Sequence, residues 1–307
     1  MEKVIVVIGP TSVGKTKMGV ALAKKFNGEV ISGDSMQIYK QMDIGTAKVT
    51  EEEKEGIIHH CVDILNPDET YSVHDFQQTV RKKITEITQR GHVPIIVGGT
   101  GLYIKAAYMI IKFDEMENDH HAINEKYKDY TNEQLHDHLK SIDEESAKIL
   151  HFNNRRRVLR AIEIYETTGK RKSEMLEEQE HICLYDAYFV GLTLPRDVLY
   201  ERINKRVDVM MENGLKEEMD CLYSQGLTRN HQSMKAIGYK EWFDYYDHQI
   251  DLNDVLELIK KHSRQYAKRQ YTWFKNQFDV HWYDVNLENF EQTIEQVTDD
   301  IEKILKV

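Results

Sequence analysis

Two short stretches carry residue types at spacings that point to chemistry. "GPTSVGKT", residues 9 to 16, sets Gly9, Gly14, Lys15 and Thr16 at the spacing of a phosphate-binding loop, with Pro10, Thr11, Ser12 and Val13 between them. The glycines let backbone N–H groups curl around phosphate oxygens, and the N-terminus of a following helix adds about half a positive charge aimed at them. Lys15 is expected to bridge the terminal phosphates, and the Thr16 hydroxyl to ligate Mg²⁺. "ISGDSMQIY", residues 31 to 39, places the Asp34 carboxylate beside the Ser35 hydroxyl and the Gln37 amide. That cluster suits taking a proton from a polar acceptor and recognising it. Gly-Asp-Ser is also turn chemistry, and composition alone leaves both readings of Asp34 open.

These residues need elements to hold them. The apolar run at residues 4–8 reads as a buried parallel strand, followed by a helix over residues 14–26. A strand at 29–32, a long connection to about residue 71 and a helix over 73–89, with Ser72 as N-cap, come next. "VPIIVGG", residues 93 to 99, is another buried strand, leading into the helix "GLYIKAAYMI". This alternation predicts an α/β fold, a P-loop NTPase-like parallel sheet flanked by helices. Motor and GTPase-like P-loop proteins end a second strand in a Mg²⁺-holding acid, whereas this strand ends in Gly98-Gly99-Thr100.

After residue 112 the pattern changes. Residues 113–183 are charged and helical in pattern, and a strand returns within 184–194. Long helices run from there to about residue 277, before a late strand in "DVHWYDV" and a closing helix near 290–306. Three segments follow: 1–112 as the first part of the core, 113–183 as a helical insert and 184–307 as the rest of the core.

The chain has 307 residues, 40% apolar and 30% charged, enough for a substantial core. Its net charge of −11 argues against a nucleic-acid partner, but basic residues concentrate locally. They cluster at Arg155, Arg156, Arg157 and Arg160, at Lys170, Arg171 and Lys172, and in "KKHSRQYAKRQYTWFK", residues 260 to 275. The aromatics of that last stretch are read as the core face of an amphipathic helix. Three scattered cysteines match neither a zinc ribbon nor a disulfide framework. His120, His121, His136 and His138 lack a convincing ligand set. No stretch approaches the ~18 apolar residues of a membrane span, and the N-terminus does not read as a signal peptide, so a soluble cytoplasmic protein is expected.

The sequence resembles the tRNA dimethylallyltransferases, also called tRNA isopentenyltransferases. Beyond the phosphate loop, the matching stretches are "ISGDSMQIYKQMDIGTAK", "HHCVDI", "YSVHDF", "PIIVGGTGLYIKA", "RRRVLRAIEIYETTGK", "RVDVMMENGL" and "KAIGYKE". The resemblance implies transfer of a dimethylallyl group from dimethylallyl diphosphate to N6 of the adenosine 3′ of the anticodon (tRNA position 37), with diphosphate leaving. It implies Asp34 as the base, Thr100 as the residue orienting the amine, and residues 9–16 with Arg206 and Mg²⁺ on the diphosphate. Asp34, Ser35, Met36 and Gln37 would read the base, and Arg156, Arg157, Arg160, Lys235, Gly238, Tyr239 and Lys240 would contact tRNA. The insert would bind the anticodon stem-loop, and the protein would be a monomer. The sequence departs from the family in "MIIKFDEMENDHHAINEKYKD", which has no proline, and in "FNNRRR" before the arginine cluster. The competing readings are an adenylate isopentenyltransferase acting on free nucleotide, a P-loop small-molecule kinase and an ATP-driven RNA-binding switch.

Overall fold

In the computed structural model, residues 1–109, 120–177 and 183–305 are described, with the backbone alone at 120 and 121. Six strands form one sheet: β1 (Lys3–Ile8), β2 (Gly28–Ser32), β3 (His59–His60), β4 (Val93–Val97), β5 (Asp186–Thr193) and β6 (His281–Asp284). Their order is β3-β2-β4-β1-β5-β6 and every pairing is parallel. Sequence alternation explains the two cores. Val4, Val6 and Ile8 of β1 enter one apolar cluster, while Ile5 and Val7 enter another on the opposite face. Both faces are therefore covered, as a parallel sheet requires.

The helices in the first stretch of chain are α1 (Lys15–Lys25), α2 (Glu51–Lys54), α3 (Val73–Gln89) and α4 (Gly101–Tyr108). The expected cap of α3 is present as a reciprocal box. Ser72 accepts from the Asp75 N–H and the Asp75 carboxylate accepts from the Ser72 N–H, a device contributing about 1 kcal/mol. The connection expected at residues 33–71 is partly ordered as α2 and the edge strand β3. It is drawn inward by Lys48, whose buried ammonium donates to Tyr39 O and pairs with Asp43 and Asp63.

After β5 come α10 (Arg196–Glu212), α11 (Leu215–Ser224), α12 (Trp242–Tyr246), α13 (Leu252–Gln277) and α14 (Phe290–Leu305), while α5 to α9 lie between α4 and β5. Residues 1–108 and 183–307 form one compact unit, and residues 109–182 form a second.

In the second unit, the described helices are α5 (His120–Lys126), α6 (Asn132–Ile142), α7 (Glu144–Ile149), α8 (Arg155–Thr168) and α9 (Lys172–Glu177). Leu135, Leu139, Val158, Leu159 and Ile162 form its own core. Buried Asp143 caps α7 through the Ser146 N–H and holds Ser173 at the start of α9. Arg155 donates to Tyr127 O and Tyr130 O, so it is structural, while Arg156 and Arg157 are exposed. Arg160 is half-buried and pairs with Glu163 at 2.8 Å, so its guanidinium is engaged within α8. Of the proline-free stretch singled out in the sequence, residues 110–119 lie outside the described residues.

Candidate active site

Three loops with chemically capable residues leave the sheet side by side. Val97 of β4 is in register with Val7 of β1 on one side and Ser32 of β2 on the other. The loops after β1 (residues 9–14), β2 (33–37) and β4 (98–100) therefore start at the same level, along the carboxyl edge where parallel sheets bind ligands. They also touch. A Cβ at Gly98 would lie 2.4 Å from the Gly33 carbonyl carbon, so only glycine permits this approach. The Thr100 N–H donates to Gly33 O, while the Thr100 hydroxyl accepts from the Ser35 N–H and donates to Ser35 Oγ. Thr100 thus braces the Asp34 loop. Asp34 Oδ1 accepts from the Met36 N–H at 2.8 Å. The turn reading of Asp34 is therefore true, and it leaves Oδ2 available for chemistry.

The phosphate loop has the backbone its sequence implies. Gly14 takes φ 105° at the N-cap of α1, and Gly9 takes φ 147° with a would-be Cβ 2.6 Å from Leu192 O. Lys15 Nζ donates to Pro10 O at 2.8 Å. Arg206, from α10, donates to Thr11 Oγ1 at 3.3 Å and is 3.5 Å from Ser12 Oγ. Burial, then Arg206, pulls the Lys15 ammonium down to about 7, with Asp34 opposing. Burial likewise lowers Arg206, and Asp34 again opposes. Both side chains are half-buried, so the two cations repel each other, and a polyanion between them relieves both costs.

A cavity of about 320 Å³ opens beside this cradle. Thr11, Ser12, Arg206, Asp34 and Ser35 line its polar part, and Ile203, Val207, Met210, Ile237 and Ile259 supply apolar wall. Lys235, Lys240 and Arg269 also reach it. The site is therefore part anion cradle and part apolar slot, with the Asp34 carboxylate in the same lining.

Several expected site residues have other duties. Gly238 and Tyr239 are buried, which removes them as surface contacts for RNA. The Gly238 N–H is taken by Glu241 and its carbonyl by Trp242 Nε1. The Tyr239 hydroxyl donates to Glu218 Oε1 at 2.7 Å, and burial followed by Glu218 pushes the phenol well above its ordinary value, so it remains a neutral donor. Glu218, which sequence reasoning missed, also accepts the N–H groups of Asp43, Ile44 and Gly45 and so holds the turn that lines the cavity. The Gln37 amide is turned inward: it accepts from Ser32 Oγ and donates to Ala47 O at 3.2 Å. The Val13 side chain is core, and Met36 lines the cavity. The N–H of Thr11, a residue expected on diphosphate, is taken by Gln270 of α13, which was also missed. Its signal was a buried polar residue on the apolar face of an amphipathic helix, beside Ala267 and Phe274.

A glycine-rich anion loop between a central parallel strand and a helix, with a carboxylate loop after β2, one strand beyond the adjacent β4, defines a P-loop-like α/β protein. The chain belongs to the IPP transferase family, whose model matches residues 37–277. A tRNA dimethylallyltransferase of Bacillus cereus (strain AH187) is 53% identical over 92% of this chain and 90% of its own length. The crystal structure of a tRNA delta(2)-isopentenylpyrophosphate transferase from Staphylococcus epidermidis is 46% identical, covers 99% of both chains and has a TM-score of 0.74. A eukaryotic dimethylallyltransferase, captured in crystallographic snapshots acting on tRNA, is 33% identical with a TM-score of 0.86, over 99% of this chain and 79% of its own.

Proposed function

We propose that this protein transfers the dimethylallyl group of dimethylallyl diphosphate to N6 of the adenosine 3′ of the anticodon, tRNA position 37. The observation that carries the reading is that Asp34, the cradle residues Thr11, Ser12 and Arg206, and the apolar residues Ile203, Val207 and Met210 line one cavity. The breaking allylic C–O bond leaves its electron pair on diphosphate, where the loop N–H groups, Lys15 and Arg206 are preorganised to receive it. The N6 amine forms the new C–N bond and gives its proton to Asp34, held by the Thr100–Ser35 brace. Ile203, Val207 and Met210 keep water from the donor carbon.

The donor set fits Mg²⁺. Thr16 offers one hydroxyl, and no group of three acidic or thiol or imidazole ligands occurs among the described residues, so the ion would take most of its ligands from substrate and water, as Mg²⁺ does. When bound, it supplies further neutralisation of the leaving diphosphate.

The target adenine must leave its stack to reach Asp34, at a cost of a few kcal/mol. Exposed Lys235 and Lys240, beside the cavity, suit the flanking phosphates. Exposed Arg156 and Arg157 offer further phosphate contacts from the second unit. The names of the relatives support tRNA as the acceptor.

The test is one incubation with Mg²⁺, dimethylallyl diphosphate and unmodified tRNA bearing adenine 3′ of its anticodon, read by nucleoside mass spectrometry. AMP competes as acceptor, ATP competes as donor, and Asp34→Ala is the control. The expected result is one dimethylallyl group on the tRNA adenosine, lost in Asp34→Ala. Modified AMP, or phosphate transfer from ATP, would overturn the reading.

A further inference from the structure

A single buried amide ties the two halves of the site together. Gln270 on α13 is 5% exposed, and both ends of its side-chain amide are engaged. Its Oε1 accepts from the Thr11 N–H at 2.9 Å, and its Nε2 donates to Gly99 O at 2.9 Å. Each contact locks a peptide plane whose other edge is also held. In the Pro10–Thr11 unit, the carbonyl receives Lys15 Nζ while the N–H reaches Gln270. In the Gly99–Thr100 unit, the carbonyl receives Gln270 while the N–H donates to Gly33 O. One turn earlier on α13, Tyr266, its phenol pushed up to about 12 by burial, donates to the same Gly99 O at 3.3 Å. The fit leaves no slack, since a Cβ at Gly99 would lie 2.2 Å from Gln270 Nε2 and 3.8 Å from Lys15 Nζ.

We infer that Gln270 is a positioning residue that sets the phosphate loop and the Thr100–Asp34 loop in register, so that leaving-group stabilisation and proton abstraction act on one bound geometry. This rests on the prenyl-transfer reading for its kinetic consequence, but not for its effect on diphosphate binding. The requirement is an acceptor and a donor on one rigid planar group. A carboxylate keeps the acceptor and loses the donor, and it recovers the donor when protonated.

The experiment compares wild type, Gln270→Glu and Gln270→Ala across mildly acidic to neutral pH. It measures kcat and KM for dimethylallyl diphosphate, calorimetric affinity for inorganic diphosphate with Mg²⁺, and melting temperature. Lys15, Asp34, Arg206 and Tyr266 are the ionisable groups around the cradle in all three proteins, so each variant is read as a ratio to wild type at the same pH. At neutral pH Gln270→Glu is expected to lose roughly tenfold or more in kcat/KM and in diphosphate affinity, the scale of one buried partner lost. Both ratios should climb back as pH falls and the introduced carboxyl protonates, whereas Gln270→Ala stays low throughout. Parallel pH profiles for the two variants, or losses confined to melting temperature with unchanged kinetics and affinity, would overturn the inference. If wild type prenylates no tRNA yet diphosphate affinity still separates the variants as described, the functional reading fails and the clamp stands.

Discussion

Lys15 should titrate near neutrality in the diphosphate-free protein and regain its proton when diphosphate enters. Burial and the neighbouring Arg206 bring its ammonium down to about 7 against the support of Asp34, and bound diphosphate reverses that balance by adding negative charge. The perturbation is therefore pH, with Lys15→Arg as the comparison, because an arginine stays charged throughout. With a value of about 7, the protonated fraction falls from about one half at pH 7 to about one hundredth at pH 9. If only the ammonium form binds, affinity for inorganic diphosphate should drop about 50-fold across that interval beyond the change due to the ligand's own ionisation. Calorimetry at about pH 8, in buffers of differing ionisation enthalpy, should register close to one proton taken up per site in wild type in excess of Lys15→Arg. Affinity–pH curves that run parallel for the two proteins, with no difference in proton uptake, would refute the reasoning. The consequence for folding has a defined sign. The unfolded chain holds a proton that the folded one has released between about 7 and the ordinary 10.5, so this site makes stability rise with pH across that window.

Two further outcomes follow from packing and charge. Gly45→Ala would place a Cβ 2.6 Å from the ring of Tyr239, which is fully buried and pinned to Glu218, so thermal or urea unfolding should show a loss of about 1–3 kcal/mol. An unchanged denaturation midpoint would show that the ring yields. At the other end of the sheet, burial opposes ionisation of Glu29, but hydrogen bonds from Arg90, His60 and His92 outweigh it and hold the carboxyl at about 2. Its contribution is present above the ordinary 4.5 and lost as pH falls through about 2. Glu29→Gln should therefore cost on the order of 3 kcal/mol at pH 7, and the gap to wild type should narrow as pH falls from 4.5. A gap independent of pH in denaturant unfolding would contradict this.

What the sequence determined by itself is local. The phosphate loop was legible because its conformation depends on glycines within six residues of one another, between a strand and a helix. The α3 cap was legible because Ser72 and Asp75 satisfy each other across three positions. The central strands were legible because residues buried on both faces leave an unbroken apolar run. Asp34 could be nominated from its neighbours, but its two uses could not be separated, since turn and base place the same residue type in the same loop. The rest was decided by contacts between distant parts of the chain. Gln270 meets Thr11 across 259 positions and Gly99 across 171. Glu218 closes on the 43–45 turn across 173 to 175. Tyr239, in a stretch expected on the RNA face, is turned inward by the same carboxylate. No local pattern encodes such pairings, because a buried polar group is satisfied by whatever partner the packed sheet and helices bring within reach, and that partner has no fixed sequence spacing.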